Sequence, residues 1–294
     1  MVDKTAHSGD SICSACNKFL NWGDNKYIRI NKDGAKDANG TYILFGEYPQ
    51  SLKADSVTIT STTDSRGYYL GSDGFYYAKV TADPYGSDYK FVSGASVTDG
   101  TVYYFKVEPI RWRILSEDGE TAFILCDSII ANKRFDDNKN NYKDSEIRAW
   151  LNDQFYNTAF NGLQKDLINT VLVDNSVAST DTAYNPHACL NTNDKVFLLS
   201  RKEVENTAYG FASDDVRDTA RQMTVSDYAR ATGAYMYTSS SDYGNGNWWC
   251  RSPYYNYYHD DGALFVYGDG TVSYFAGVYY TYWGVVPALQ IRLR

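Results

Sequence analysis

The sequence predicts a mixed α+β domain, on two observations. Short alternating segments rich in Tyr, Phe and Val, divided by Gly and Asp turns, recur on both sides of the middle of the chain, as strands do. Between them Ile147, Trp150, Leu151 and Phe155 fall every third or fourth residue, the spacing of one apolar helix face, behind a capping Asp144 or Ser145. No fixed-period repeat is present, and 294 residues with 43% hydrophobic content supply one large core.

Taken in order, residues 1–40 read as a polar lead-in with turns at Asn31-Lys32-Asp33-Gly34 and Asp37-Ala38-Asn39-Gly40, and the folded domain is expected over 41–294. Its first strand is Thr41 to Gly46. Hairpin-like segments follow at Tyr68 to Leu70, Phe75 to Val80 and Val102 to Val107. Ile110 to Leu115 and Thr121 to Cys126 form a strand pair around the Asp118-Gly119 bend. After the helix begun at Asp144 or Ser145, weaker helices are expected at Leu163 to Asn169, Arg201 to Asn206 and Thr224 to Ala231, with a buried strand at Lys195 to Ser200. The tail reads as strands at Asn247 to Cys250, Ala263 to Tyr267, Thr271 to Phe275 and Val285 to Leu293, with a turn at Gly268-Asp269-Gly270.

Charge removes some function classes. A net charge of −8, with no basic cluster to offset it, repels a phosphate backbone, so no nucleic-acid partner is expected. No apolar run is long enough to span a bilayer. Five cysteines at scattered positions exclude a complete disulfide framework and leave the compartment open. Cys13 and Cys16 have the spacing of half a zinc ribbon, but no second pair and no nearby His supplies the other ligands.

Catalytic machinery is equally hard to assemble. His7, His187 and His259 lie in unrelated contexts, and there is no Gly-x-Ser-x-Gly elbow. Cys250, between Trp249 and Arg251, reads as a small buried hydrophobe. Asp214, Asp215 and Asp218 with Arg217 and Arg221 read as surface ion pairs of a helix, and Arg111, Arg113 and Arg148 as structural. The expectation is a protein with no catalytic residues, no metal and no cofactor.

The tail carries the positive signal. Tyr254-Tyr255-Asn256-Tyr257-Tyr258-His259 puts rings on consecutive positions, which a strand would send to both faces, and Pro253 and Gly262 bound it like a loop. Tyrosine offers a large amphipathic ring for two frozen torsions, so at least half of these rings are expected to be exposed for contact. The candidate ligand-binding set is Tyr254, Tyr255, Asn256, Tyr257, Tyr258, His259, Tyr274, Phe275, Tyr279, Tyr280, Tyr282 and Trp283, with the whole region spanning 248–294. His259 is a contact residue whose charge changes near about pH 6.5.

Several segments in this order resemble a known family: Ile43 to Gln50, Val107 to Leu115, Ile147 to Asn152, Asp194 to Ser200, Trp248 to Pro253 and Gly284 to Leu289. They are similar to a bacterial domain family of unassigned function, common in gut Firmicutes and related to the C-type-lectin-like fold of formylglycine-generating (sulfatase-modifying) enzymes. The resemblance runs from about Thr41 to Arg294. It implies a C-type-lectin-like domain with a twisted, mainly antiparallel sheet whose last strand returns to the centre, and it implies no catalysis. Members of the wider fold group are variable proteins of diversity-generating retroelements, whose reverse transcriptase rewrites adenine positions near the end of the gene. Tyr254 to Asp261, Ser273 to Phe275 and Val278 to Trp283 resemble such varied positions. Trp248, Trp249, Arg251, Pro253, Gly284, Pro287 and Leu289 resemble the constant frame.

The partner this implies is a protein or a cell-surface glycan, met at a cell surface, outside the cell or on a phage particle. Two other readings stand beside it: a cysteine-oxidising enzyme, although this tail holds Cys250 alone, and a structural module of a surface or phage-tail assembly. Calcium-dependent sugar binding is not expected. In Asp136 to Asn141 an Asn stands where a calcium loop needs Gly, and Ile147 stands where the bidentate Glu belongs.

Overall fold

A computed structural model describes residues 26–180, 182–238, 241–255 and 260–294, with Tyr274 described by its backbone only. Ordered chain begins before the expected boundary at Thr41. Strand β1 (Ile28–Ile30) pairs antiparallel with β2 (Tyr42–Leu52), placing Ile28 opposite Leu44, and Tyr27 donates to the Leu293 carbonyl. The lead-in was unreadable as strand because it offers only this three-residue segment between turns.

Next come β3 (Ile59–Thr63), β4 (Tyr69–Gly71), β5 (Tyr76–Thr81), β6 (Val102–Glu117) and β7 (Thr121–Cys126). The sixteen-residue β6 replaces the two strands expected around Pro109. Proline cannot donate to a ladder. It is accommodated because Pro109 faces Glu47 just where the β2 register shifts between Leu44 and Glu47. β6 then serves three neighbours: β5 along Val102 to Lys106, β2 along Phe105 to Arg113, and β7 along Trp112 to Glu117. Trp112 is fully buried and its indole donates to the Phe45 carbonyl at 2.7 Å, tying the middle of this sheet together.

After β8 (Ala131–Asn132), the expected helix forms as α1 (Glu146–Trp150), a π-helical turn at Leu151–Phe155, and α2 (Tyr156–Ala159). Ser145 caps it by accepting from the Arg148 amide at 3.3 Å. The later helices shrink to single turns: α3 (Gly162–Lys165), α4 (Arg201–Val204) and α5 (Asp227–Ala231). Strands β9 (Val171–Val173) and β10 (Thr192–Asp194) pair with each other. Residues 196–200 are buried as expected but form no strand, joining the sheets through a bridge from Phe197 to Ala288 and through the Arg251 amide, which donates to the Leu199 carbonyl at 2.9 Å.

The tail supplies β11 (Trp248–Pro253), β12 (Gly262–Val266), β13 (Val272–Gly277), β14 (Gly284–Val285) and β15 (Ala288–Arg292). The single terminal strand expected at Val285 to Leu293 is divided at Pro287. β14 pairs parallel with β11 in a five-stranded sheet, whereas β15 pairs with β7 in an eight-stranded one. The final segment therefore links the two sheets, and one buried cluster, from Ile43 through Trp112 to Trp248 and Leu289, runs through both. The architecture is α+β, mostly antiparallel, with few short helices. No helix among the described residues is long and apolar enough to cross a membrane.

The expected pairing of Arg221 with Asp218 is present at 3.7 Å, but its place on the surface is corrected. Arg221 is 0% exposed. Its guanidinium donates to the carbonyls of Gly270 at 2.8 Å, Val204 at 3.1 Å and Asp214 at 2.8 Å, and also to those of Ala212 and Val216. Asp218 is not on a helix face either. It caps the short turn Thr219–Arg221 by accepting from Ala220 and also accepts from the Ala212 amide. Gly270 (φ +85°) presses so closely on this loop that a Cβ there would lie 1.9 Å from the Asp218 carbonyl oxygen. Arg221→Met is expected to strand these carbonyls without a donor and lower unfolding free energy by at least about 3 kcal/mol in urea titration. A near-neutral result would show that the loop is held by other contacts.

Candidate ligand-binding surface

The tail sheet has a buried frame. Every residue of β11 is buried, as are Gly284, Pro287 and Leu289. Trp248 donates from its indole to the Arg221 carbonyl at 3.1 Å, and Trp249 to the Lys133 carbonyl at 2.8 Å. Arg251 donates to the Leu198 carbonyl at 2.7 Å and the Asp174 carbonyl at 3.0 Å, and is paired with Glu203. Buried indole and guanidinium donors are thus satisfied by backbone carbonyls from four separate segments, which fixes the central strand of the sheet.

Rings stand on this frame. Phe275 is 45% exposed and Tyr279 49%, with Tyr255 and Tyr267 also exposed. Tyr254 is half-buried, edge-on to Phe275 at 5.4 Å between centroids. The Phe275 ring lies over Gly262 so closely that a Cβ there would come within 2.3 Å of it. Tyr279 meets Tyr280 at 4.9 Å, and Tyr280 stacks on Tyr282 at 5.1 Å with 23° between planes, both half-buried. The Tyr279 hydroxyl bonds to Tyr280, which pushes its phenol pKa up. Asn256, Tyr257, Tyr258 and His259 lie outside the described residues, as does the side chain of Tyr274.

Trp283 is a correction. It is 9% exposed, stacked on Phe265 at 4.7 Å and set edge-on to Trp249 at 6.3 Å, so it belongs to the core beneath the rings. The run Val278 to Trp283 ends in a turn that enters β14, and the turn directs its last ring inward.

Other rings join from distant parts of the chain. Tyr85, 52% exposed, lies 4.7 Å from Tyr282 and 5.3 Å from Tyr235. Tyr184 meets Tyr255 at 6.3 Å. The one local cue for Tyr85 is its place between Pro84 and Gly86, a turn that displays a side chain at its tip. Nothing in the sequence marks Tyr184 or Tyr235.

The alternative chemistries considered from sequence occupy other ground. Cys126 and Cys250 are fully buried, and loss of solvation pushes each thiol up to about 12. Cys189 is half-buried with its thiol also raised by desolvation. Asp136 spends its carboxylate on the amides of Asn138, Lys139 and Glu146. Among the described residues no cluster of three or more His, Cys, Asp or Glu is placed to hold a metal, and Cys13 and Cys16 lie outside them.

A sequence profile for the family described as Domain of unknown function (DUF6273) matches residues 119–293, more than half of the chain, and the chain belongs to that family. No curated protein and no solved structure matches it. The matched span begins at the turn before β7 and ends after β15, so it takes in the whole tail sheet and its ring-bearing loops.

Trp283→Ala is expected to cost about 3–5 kcal/mol in denaturant unfolding, as for any large buried ring. Its Nε1 is buried with no hydrogen-bond partner among the described residues. Trp283→Phe therefore loses no hydrogen bond and is expected to cost less than about 1.5 kcal/mol. A loss of about 3 kcal/mol or more for Trp283→Phe would show that the indole N–H is engaged.

Proposed function

We propose that this member of the family is a non-enzymatic ligand-binding protein that displays a diversified, tyrosine-rich surface on a C-type-lectin-like scaffold. Its ligand is a protein or a cell-surface glycan. The observation that carries the reading is a division within one short stretch of chain. The residues resembling the constant frame, Trp248, Trp249, Arg251, Pro253, Gly284, Pro287 and Leu289, are buried, and the first three donate side-chain hydrogen bonds to distant backbone carbonyls. Tyr255, Phe275 and Tyr279, among the positions resembling varied ones, are exposed. Such a division lets ring identity change without disturbing the fold, because substitutions at exposed sites away from caps and networks shift stability by only about 0.5 kcal/mol.

Rings of this kind supply affinity by stacking on an apolar ligand face, with neighbouring polar groups fixing orientation. The buried Cys126 and Cys250 thiols, with protons held to about pH 12, favour this reading over cysteine oxidation, which needs accessible thiolate.

The test is comparison of tail sequences among sibling isolates. Substitutions are expected to concentrate in adenine-bearing codons at the exposed and half-buried positions of Tyr254 to Asp261 and Val278 to Tyr282, and to spare Trp283 along with the frame. Changes spread evenly over frame and rings, or a tail identical in all siblings beside no reverse-transcriptase gene, would remove diversification from the account.

A further inference from the structure

A second site lies away from the ring surface. The longest helical segment, 146–159, does not close down on the neighbouring elements but leaves a groove of about 660 Å3 between its Trp150, Gln154 and Thr158 and the opposite wall of Tyr48, Lys133 and Tyr228. A further cavity of about 410 Å3 adjoins it, with Tyr48, Tyr68 and Tyr228 lining both. The π-helical turn at Leu151–Phe155 sits in the groove wall. Such turns are rare and found most often where a helix has been reshaped for a site.

The chemistry of the lining is specific. Lys133 is half-buried, and among the described residues its ammonium has no hydrogen bond and no ion pair. It rests over the Trp150 ring, 5.3 Å from the centroid; burial lowers its pKa, and the charge of Glu146 is the one that opposes this. Glu146 itself is committed: Arg134 holds both its oxygens, at 2.6 and 2.7 Å. Arg134 is thereby neutralised, and Lys133 is the cation in the groove without a counter-charge. Around it stand the side chains of Gln154 and Thr158, which make no hydrogen bond among the described residues, and the half-buried face of Trp150.

A ligand that satisfies all of these groups carries one negative charge, several hydroxyls and an apolar face. An aliphatic acid would leave the amide and hydroxyl groups unpaired. An amino acid would bring an ammonium for which the groove has no free carboxylate. A polyphosphate would find Lys133 as the one unpaired cation of the groove, since Arg134 is held by Glu146, in a protein of net charge −8. We propose that this groove binds an acidic sugar residue, its carboxylate on Lys133, its apolar face toward Trp150 and its hydroxyls on Gln154 and Thr158, with the adjoining cavity beyond Tyr68 receiving the next unit of a chain. Of the tail, Thr281 alone lines the groove, so the site stands or falls independently of the ring surface.

The experiment titrates the full chain with D-glucuronate, D-galacturonate and N-acetylneuraminate, followed by calorimetry and tryptophan fluorescence, with D-glucose, acetate and inorganic phosphate as comparators. At least one acidic sugar is expected to bind saturably and at least about tenfold more tightly than glucose, the worth of one charge-assisted hydrogen bond. Lys133→Met should erase that preference while the melting temperature holds. Gln154→Ala, on an exposed side chain, should weaken the same sugar several-fold, and Tyr279→Ala should leave it unchanged. The proposal is overturned if none of the three acids binds, if acetate or phosphate displaces the sugar as well as another sugar does, or if Lys133→Met retains the preference.

Discussion

The wholly buried guanidinium of Arg221 is the constraint on which the display of the tail depends. A cation removed from water is tolerable only where fixed dipoles replace its hydration, and here carbonyls of Val204, Ala212, Asp214, Val216 and Gly270 do so. Those carbonyls come from the end of α4 and from loops with little regular structure. One side chain thus orders residues 204–222 and fastens them to the turn after β12. Trp248 then donates to the carbonyl of Arg221 itself, so the innermost strand of the tail sheet is positioned by the same hub. With Arg251 making similar bonds toward Asp174 and Leu198, the inner strands β11 and β12 are buried and fixed, and the exposed rings stand at the margin of the sheet, Phe275 on β13 and Tyr255 and Tyr279 in the flanking loops.

Much of this was legible in the sequence where local periodicity governs. The helix at 146–159 follows its apolar spacing and its serine cap, and the hairpins follow their turns. Other features depend on distant partners and leave no local trace. Arg221 sits among Asp214, Asp215 and Asp218, neighbours that suggest solvated ion pairs, yet its main acceptors are backbone carbonyls, which every residue carries. Pro109 lacks a ladder donor, and the shifted register opposite Glu47, which no local pattern shows, explains how β6 passes through it. Trp283 closes a run of tyrosines that looks uniformly outward. Its inward turn follows from the approach to β14, where it meets Phe265 and Trp249.

The candidate surface was legible in part for the same reason. Consecutive rings between Pro253 and Gly262 cannot all be core, and that argument needs no tertiary information. The contributions of Tyr85, Tyr184 and Tyr235 come from loops far away in sequence, brought to the tail by the fold. The groove beside Lys133 was not legible at all. Its character rests on Glu146 being occupied by Arg134, a geometric fact that leaves Lys133 without a counter-charge in the groove. Two surfaces of different chemistry, one of exposed rings and one of a lone cation among neutral donors, are thereby carried by a single body.

The central claim is that the exposed rings serve a partner and the fold does not need them. It is tested most directly by replacing Tyr255, Phe275 and Tyr279 together with serine, then measuring both the melting temperature and binding to an array of glycans and cell-surface proteins. The account predicts a melting temperature within about 3 °C of the parent, as for exposed substitutions, together with loss of the parent's binding. A fall of about 10 °C or more, or binding that survives the triple replacement, would contradict it.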